Sequence, residues 1–265
     1  MSTDRVKLSG ETVRFNDREA TARFGLIALA TDMTSERDLY RQLPEDHVAI
    51  HVTRVAFENP TTPDNLRKMT PRLTEAAALL EPLAPLKAIC YSCTAASVVI
   101  GDAEVAAAIQ QAVGPVPVVT PAGAARLAFA ALGVKRLAIL TPYTVATSQP
   151  MAAYFARHGM ELVNFECLGL DDDRDMARVS DESIITAAIA ADRPDAEALF
   201  LSCTGLPAIN VIAEIERRLG KPVVTSNQAS AWAMTRLGGF HDHRPAPYGR
   251  LFDCALPDRA FGEAA

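Results

Sequence analysis

Two segments of this 265-residue chain carry nearly the same sequence, Lys87-Ala-Ile-Cys-Tyr-Ser-Cys-Thr-Ala95 and Glu197-Ala-Leu-Phe-Leu-Ser-Cys-Thr-Gly205. Each starts with an apolar run that is typical of a buried strand and ends in Ser-Cys-Thr, where a helix is predicted to begin. Equivalent positions in two similar halves would let the thiols of Cys93 and Cys203 face each other across one cleft. We therefore expect two opposed cysteines to act on the same small molecule.

The similarity extends to both sides of the two cysteines. Cys93 lies 61 residues after Asp32, and Cys203 lies 60 residues after Tyr143, with an apolar run before Asp32 and before Tyr143. A Pro-Val-Val-Thr segment follows each cysteine. Three landmarks in the same order and at similar spacing indicate an internal duplication. A repeat of this length predicts two related domains, because solenoid repeats are much shorter.

Composition excludes several classes of protein. The chain is 49% apolar and 22% charged with a net charge of −6, so no basic surface for nucleic acid is expected. No segment is long and apolar enough to suggest a membrane span, and the polar start of the chain does not resemble a signal peptide. Five cysteines, an odd number, do not suggest a disulfide framework and favour a cytoplasmic protein. A homo-oligomer is left open.

Predicted strands and helices alternate along the chain, which indicates the α/β class with parallel sheets. The strand–helix pattern also predicts an amphipathic helix over Asn65–Leu83 and further helices over Ser97–Val113 and Ile209–Leu219. The expected organisation is a polar arm at 1–20, a first α/β half at 21–120, a second at 121–222, a last strand and helix at 223–240 that can cross back to the first half, and a tail at 241–265.

Ligands of parallel sheets bind beyond the carboxyl ends of the strands. The chemically versatile residues predicted at those ends are Asp32, Cys93, Tyr143, Cys203 and Asn227. Asp32 has two interpretations, since it either orients a substrate ammonium or polarises Cys93, or it simply caps the helix that follows. Tyr143 is predicted to donate a hydrogen bond to a substrate carboxylate, because its hydroxyl needs a partner.

The positions of the cysteines separate reactive thiols from packing residues. A helix N-terminus stabilises a thiolate, so at least one of Cys93 and Cys203 is expected to have a pKa below the usual value of about 8.5. Cys90, Cys167 and Cys254 are interpreted as small buried residues. Cys90 and Cys93 form a Cys-x-x-Cys, but Cys90 lies inside the apolar strand, which argues against a redox pair.

Other motifs are weaker. His241-Asp-His243 has no third ligand at a recognisable spacing, so no metal site is predicted. The acidic run Asp171–Asp175 is interpreted as an exposed loop, with a lid over the cleft as the alternative. The absence of Gly-x-Gly-x-x-Gly and of Gly-x-x-x-x-Gly-Lys argues against dinucleotide and nucleoside triphosphate binding.

Taken together, these residues resemble the aspartate/glutamate racemase superfamily, in the branch of maleate cis-trans isomerases, arylmalonate decarboxylases and racemase-like ectoine-utilisation proteins. The resemblance covers roughly residues 21–240 and rests on Asp32, both Ser-Cys-Thr segments and Thr141-Pro-Tyr143. The segments Tyr91-Ser-Cys-Thr94 and Ser226-Asn-Gln228 are most similar in sequence to those of the ectoine-utilisation proteins.

Two departures from the family pattern bear on the substrate. The isomerases carry Ser-Asn-Thr-Thr-x-Glu where this chain has Thr31-Asp-Met-Thr-Ser-Glu36, which argues against maleate itself. The decarboxylases have glycine at the position of Cys93, because they need one proton donor only. A chain that keeps both thiols is therefore a weaker match to decarboxylation.

The resemblance implies two similar parallel-sheet domains related by pseudo-twofold symmetry, an active site in the cleft between them and no cofactor. It implies that Cys93 and Cys203 are the catalytic pair and that the partner is a small carboxylate. Backbone N–H groups after each cysteine and nearby hydroxyls are expected to stabilise an anionic intermediate. The predicted substrate-binding residues are Asp32, Thr94, Ala95, Tyr143, Thr204, Gly205 and Asn227.

Several functions are compatible with these catalytic and substrate-binding residues. The leading prediction is a cofactor-independent racemase or epimerase of an amino-acid-like carboxylate, in ectoine or hydroxyectoine breakdown, in which one thiolate removes the α-proton and the other thiol returns one to the opposite face. The alternative is a maleate-type cis-trans isomerase, in which a thiolate adds to the double bond, the bond rotates and elimination follows. An arylmalonate-type decarboxylase and a non-catalytic solute-binding protein rank lower, since binding alone needs no thiol.

Overall fold

The computed structural model describes residues 6–80 and 85–257 of the chain. Residues 1–5 of the predicted arm, residues 258–265 of the predicted tail and residues 81–83 of the predicted helix Asn65–Leu83 lie outside the described residues. Within the described part, none of the helices has the length and apolar character required to cross a membrane.

Eight strands and eleven α-helices are found in the described residues. The strands are β1 (Ala22–Leu29), β2 (Val48–Val55), β3 (Ala88–Ser92), β4 (Val118–Val119), β5 (Arg136–Tyr143), β6 (Glu161–Leu170), β7 (Ala198–Leu201) and β8 (Val223–Thr225). The helices are α1 (Ser35–Gln42), α2 (Pro63–Arg67), α3 (Thr70–Ala78), α4 (Thr94–Ile100), α5 (Asp102–Val113), α6 (Pro121–Leu132), α7 (Val145–Arg157), α8 (Asp173–Met176), α9 (Asp181–Ala191), α10 (Ile212–Leu219) and α11 (Ser226–Leu237).

The strands form two four-stranded sheets with the same order, β2-β1-β3-β4 and β6-β5-β7-β8, and all pairings are parallel. Helices cover such sheets on both faces, which is why β3 and β7 are continuous apolar runs and are buried along their whole length. The predicted fold class, α/β with two similar parallel sheets, is confirmed.

The registers bring equivalent segments of each half to one edge. Ala28 near the end of β1 aligns with Ser92 at the end of β3, and Leu140 of β5 aligns with Leu201 at the end of β7. The segments that leave these central strands, including both Ser-Cys-Thr turns, therefore emerge at the carboxyl edges of their sheets.

The last strand and helix contact different halves. β8 pairs with β7 and so belongs to the second sheet, whereas α11 packs against α1 and β3 as well as α6. A capping box closes its start, because the Thr225 side chain accepts from the Gln228 N–H and the Gln228 side chain accepts from the Thr225 N–H. Ser226 and Asn227 consequently lie where the two halves meet. The predicted domain boundaries stay a prediction.

Two predicted helices are divided by residues that interrupt helical geometry. Gly101 has φ = 107°, a conformation that glycine adopts readily, and it separates α4 from α5 within the predicted helix Ser97–Val113. The predicted helix Asn65–Leu83 is replaced in its described part by α2 and α3, and Pro71 lies in the first turn of α3, where a missing N–H is tolerated.

Candidate active site

A cleft opens at the carboxyl edges of the two sheets and is lined from both halves. Its walls are formed by residues that follow β1, β3 and β7 and by the last residue of β5. The predicted site residues that line it are Asp32, Cys93, Ala95, Tyr143, Cys203, Thr204 and Gly205. Thr94 and Asn227, which were also predicted, are both buried and are not among the lining residues.

Cys93 lies where the sequence predicts it, between a buried strand and a helix. It is the residue that precedes α4, with φ = −152°, and its carbonyl accepts a hydrogen bond of 3.0 Å from the Ser97 N–H. The N–H of Ala96, in the first turn of α4, bonds to the sulfur. Only 5% of the residue is exposed.

Cys203 differs from Cys93 in its backbone, although the two segments are alike in sequence. It has φ = 137° and is the one non-glycine residue with a positive φ in the described part of the chain. The helix predicted directly after it is replaced by a turn and a 3-10 helix at Ala208–Val211, and α10 begins at Ile212. Pro207 accounts for the difference, because a proline disfavours the helical conformation of the residue before it.

Burial raises the pKa of both thiols, to about 11 for Cys203 and well above its usual value for Cys93. The prediction of a lowered pKa is therefore wrong for this structure, because desolvation outweighs the effect of a helix N-terminus. The thiol of Cys203 and the carboxylates of Asp173 and Asp32 raise the pKa of Cys93 further.

Hydrogen-bond donors partly offset desolvation at Cys203. The hydroxyl of Tyr143 and the N–H groups of Gly205 and Leu206 lower the pKa of the Cys203 thiol from the value that burial alone would impose. The Gly205 N–H lies 3.2 Å from the sulfur. The sulfur of Cys93 has one such donor, the Ala96 N–H. The thiolate is thus more stable on Cys203 than on Cys93.

Tyr143 is the last residue of β5, which continues past the predicted end at Leu140. It is 3% exposed and lines the cleft, and the hydrogen bond from its hydroxyl lowers the pKa of the Cys203 thiol. Burial raises the pKa of Tyr143 well above its usual value, so the hydroxyl is a donor.

Asp32 lines the cleft and also caps the chain that enters α1. Its Oδ1 accepts from the N–H groups of Thr34 and Ser35, both at 2.8 Å, and its Oδ2 accepts from the Ser35 hydroxyl. Burial raises the pKa of Asp32 despite these bonds. These hydrogen bonds agree with the interpretation of Asp32 as a helix cap. Oδ2 accepts one of them, so it can accept a second hydrogen bond within the cleft.

The hydroxyls of Thr94 and Thr204 connect the two cysteine turns. The Thr94 hydroxyl donates to Ser226 Oγ at 2.8 Å, and the same oxygen accepts the Cys203 N–H at 3.0 Å. The Thr204 hydroxyl donates to the Ser92 carbonyl at 3.1 Å. Sequence analysis expected both threonine hydroxyls to face a substrate and did not single out Ser226, whose position between the halves depends on how α11 packs.

Asn227 supports the Cys203 turn from behind. Its Nδ2 donates to the Thr204 carbonyl at 2.9 Å and to Asp38 Oδ2 at 2.8 Å. The Thr204 carbonyl also accepts from the Thr34 hydroxyl. Asn227 thus connects the turn to α1, and both N–H groups of its amide are engaged away from the cleft.

The acidic segment 171–175 is not simply an exposed loop. It includes the start of α8, and Asp173 and Met176 of this helix line the cleft. Asn59 of the first half donates to Asp173 Oδ1 at 2.7 Å, and the Thr31 hydroxyl donates to Asp173 Oδ2. The Asp171 carbonyl accepts from the Thr61 N–H at 2.6 Å. The segment therefore forms part of the cleft wall and bonds to the first half, the lid alternative stays a prediction, and Asp173 is a cleft residue that the sequence reasoning missed.

The chain is similar in sequence to an arylmalonate decarboxylase and to maleate isomerases. Arylmalonate decarboxylase of Bordetella bronchiseptica is 37% identical over 155 residues, which is 57% of this chain and 64% of that enzyme, so the match spans less than two thirds of its length. Maleate isomerase of Nocardia farcinica is 27% identical over 225 residues, 81% of this chain and 89% of that enzyme.

Solved structures share the fold. Maleate isomerase Iso of Pseudomonas putida S16, as a cysteine-to-alanine variant with maleate, has a TM-score of 0.80 at 22% identity and covers 89% of this chain and 99% of that chain. A cysteine-to-serine variant of the Nocardia farcinica maleate cis-trans isomerase, with a covalently bound succinylcysteine intermediate, has a TM-score of 0.78 at 24% identity, over 88% of this chain and 98% of that chain.

The family assignment rests on the sequence match. The arylmalonate decarboxylase family model matches residues 61–252, which include both cysteines, Tyr143 and the acidic segment. The resemblance inferred from the Ser-Cys-Thr segments is confirmed for the branch of maleate isomerases and arylmalonate decarboxylases. The chain belongs to the arylmalonate decarboxylase family.

Proposed function

We propose that this protein is a cis-trans isomerase of the maleate isomerase type, which acts on a short unsaturated carboxylate with two cysteines. The observation that carries the proposal is the presence of Cys93 and Cys203, from equivalent positions of the two halves, in the lining of one cleft. The relative that matches along most of its length is a maleate isomerase, which supports isomerisation over decarboxylation.

Cys93 is the proposed nucleophile. Its sulfur lies at the N-terminus of α4, and because burial raises its pKa further than that of Cys203, its thiolate is the stronger nucleophile once it forms. In the first step the thiolate forms a C–S bond to one alkene carbon, and the electron pair of the double bond moves to the neighbouring carbon, next to the substrate carboxylate.

Cys203 is the proposed acid and base. It transfers its thiol proton to the carbanionic carbon, and its own thiolate remains, stabilised by Tyr143 and the Gly205 N–H. The former double bond is now single and rotates. The Cys203 thiolate then removes the α-proton, the double bond re-forms in the trans configuration and the C–S bond to Cys93 breaks. No atom or electron is gained or lost over the cycle.

The charge that develops on the substrate carboxylate needs donors in the cleft. The N–H of Ala95 lies in the first turn of α4, where backbone N–H groups have no partner within the helix. Because Ala95 lines the cleft beside Cys93, its N–H is the proposed donor to that carboxylate.

Racemisation of an amino-acid-like substrate and a role in ectoine breakdown were the leading predictions from the sequence. The maleate isomerase and the arylmalonate decarboxylase described above favour the alternative, and the ectoine role stays a prediction. The two thiols would also serve a racemase, so the experiment must distinguish the reactions by their products.

Proton NMR in D2O tests the proposal with a panel of cis-unsaturated carboxylates, an arylmalonate and saturated α-amino acids. We expect the cis vinyl signals to be replaced by those of the trans isomer, and Cys93→Ser and Cys203→Ser to abolish this change. Loss of carbon dioxide from the arylmalonate, or deuterium at the α-carbon of an amino acid, without any cis-to-trans conversion, would contradict it.

A further inference from the structure

The charge of the cleft is unusual for a site that would take a dicarboxylate. Two carboxylates, Asp32 and Asp173, line it, and the lining residues that the structure describes include no lysine, arginine or histidine. The other polar groups that line it are hydroxyls, thiols and backbone N–H groups. A substrate with two carboxylates would place at least one of them near a fixed negative charge, and like charges at short range in a poorly solvated site repel strongly.

Asp173 belongs to the second half and is held in place by residues of the first half. Asn59 donates to Oδ1 at 2.7 Å, Thr31 donates to Oδ2, and the Asn59 side-chain carbonyl accepts the Asp173 N–H at 3.3 Å. A Cβ placed on Gly205 would lie 3.5 Å from the Cys203 sulfur and 3.9 Å from the Asp173 carbonyl oxygen. Asp173 therefore lies across Gly205 from the reactive sulfur, within the reach of a small substrate.

The two aspartates differ in how many acceptor positions of their carboxylates are unused. A carboxylate offers about four acceptor positions. Asp32 uses three of them within its own turn, for the N–H groups of Thr34 and Ser35 and the Ser35 hydroxyl. Asp173 uses one position on each oxygen, so each oxygen can accept a further hydrogen bond.

We propose that Asp173 accepts a hydrogen bond from the substrate, which therefore carries one carboxylate and, at its other end, a donor group such as a carboxamide or an ammonium. This inference rests on the proposed isomerisation for its reaction but names a substrate class different from the dicarboxylate maleate. The carboxylate binds near the backbone N–H groups beside the cysteines, and the donor group faces Asp173.

Turnover of three matched cis substrates tests the inference: maleate, its monoamide maleamate and its monomethyl ester. The amide removes the second charge and supplies a donor, whereas the ester removes the charge only. We expect kcat/KM for maleamate to exceed that for maleate and for the ester by at least about tenfold, since a site that accepts a hydrogen bond from its substrate discriminates against analogues without the donor. Equal, measurable turnover of the ester and the amide, or a preference for maleate, would overturn the inference.

Asp173→Asn tests whether this residue sets the preference. The variant keeps an acceptor for Thr31 but removes the charge, so the ratio of maleamate to maleate turnover should fall by at least about tenfold. Asp175→Asn is the matched control, because this substitution makes the same change in net charge. The Asp175 side chain is 58% exposed and pairs with Arg178. An Asp173→Asn ratio that equals the ratio of the control would overturn the assignment to Asp173.

A binding measurement separates this inference from the proposed reaction. The saturated analogues succinate and succinamate are compared for protection of Cys93 and Cys203 from iodoacetamide, which requires no isomerisation. Stronger protection by succinamate in the wild type, lost in Asp173→Asn, supports the inference even if all three cis substrates stay unchanged, and in that case the isomerase proposal fails alone. Protection by neither analogue, or better protection by succinate, overturns the inference.

Discussion

At the scale of single residues, Cys203 combines a thiol in the cleft with a backbone conformation that side chains disfavour. Its φ of 137° lies in the region that glycine occupies readily. The Ser226 hydroxyl accepts the Cys203 N–H and the Gly205 N–H donates to its sulfur, so bonds on both sides maintain this conformation. Backbone strain of this kind costs about 1–3 kcal/mol and is typical of residues with a role beyond packing.

Comparison of Cys203→Gly with Cys203→Ala measures this strain. We expect the glycine variant to be the more stable by about 1 kcal/mol, because glycine relieves the strain that alanine keeps. Chemical denaturation provides the free energy of unfolding. The same pair at Cys93, where φ is −152°, is the control, and there alanine should be the more stable variant. If the alanine variant were the more stable one at both positions, the proposed backbone strain at Cys203 would be contradicted.

Tyr143→Phe tests the donor that stabilises the Cys203 thiolate. Loss of the hydroxyl should raise the pKa of Cys203 by about one unit and lower kcat/KM by about tenfold, with little loss of stability. Site-resolved alkylation against pH reports the pKa of the thiol. Tyr154→Phe is the matched control, because it removes a hydroxyl that bonds to Asp102 and leaves Cys203 untouched. An alkylation profile equal to that of the control would show that Tyr143 only packs.

Sequence analysis identified seven of the fifteen residues that line the cleft, both cysteines among them, because strand ends in a parallel sheet converge by geometry. It assigned different bonds to Thr94, Thr204 and Asn227, whose polar groups connect the halves instead of facing the cleft. Those bonds depend on how the halves pack, which a single strand-and-helix pattern does not specify. The pKa of the thiols was mispredicted for a related reason, since the extent of burial is a property of the assembled cleft.

At the scale of elements, the contrast between the two Ser-Cys-Thr turns is the main difference from expectation. The first leads directly into α4, and the second leads into a turn that delays α10 until Ile212. The repeat was a sound guide to the strands, because their apolar runs are alike. It was a poorer guide to the segment after Cys203, where Pro207 has no counterpart in Ser97–Ile100.

The link between α1 and α11 makes a prediction about pH. Asp38 is fully buried, and desolvation raises its pKa from 3.8 to about 6 although the Asn227 amide donates to it. The folded state therefore binds this proton more tightly than the unfolded state does. The resulting stabilisation is complete below about pH 4 and is lost as the pH rises through about 6.

Asp38→Asn should remove this dependence, because the amide stays neutral and its carbonyl still accepts from Asn227. Relative to the wild type, the variant should gain up to about 3 kcal/mol, and the gain should build up between about pH 4 and pH 6 and level off above that. Urea unfolding at several pH values measures the difference. Curves of stability against pH that run parallel for the two proteins would contradict the proposed titration.

At the scale of the whole molecule, the fold brings two duplicated halves together so that each supplies one cysteine. The class of fold could be predicted from the sequence, because alternating strands and helices with a repeat permit few arrangements. The contribution of α8 to the cleft wall could not be predicted from the sequence. It depends on contacts of Asp171 and Asp173 with Thr61, Asn59 and Thr31 of the other half. The acidic run is evident in the sequence, but the residues that it contacts in the folded chain are distant in sequence.

The central claim is that Cys93 and Cys203 act in sequence on one substrate, and intact-protein mass spectrometry with peptide mapping tests it most directly. When Cys203→Ser is incubated with a cis substrate, we predict one covalently bound substrate on Cys93, because water can still protonate the carbanion but no thiolate is present to remove the α-proton and complete elimination. Cys93→Ser should carry no adduct, and neither variant should release the trans product at the wild-type rate. Normal turnover by either variant, or an adduct on Cys203 in Cys93→Ser, would contradict the account.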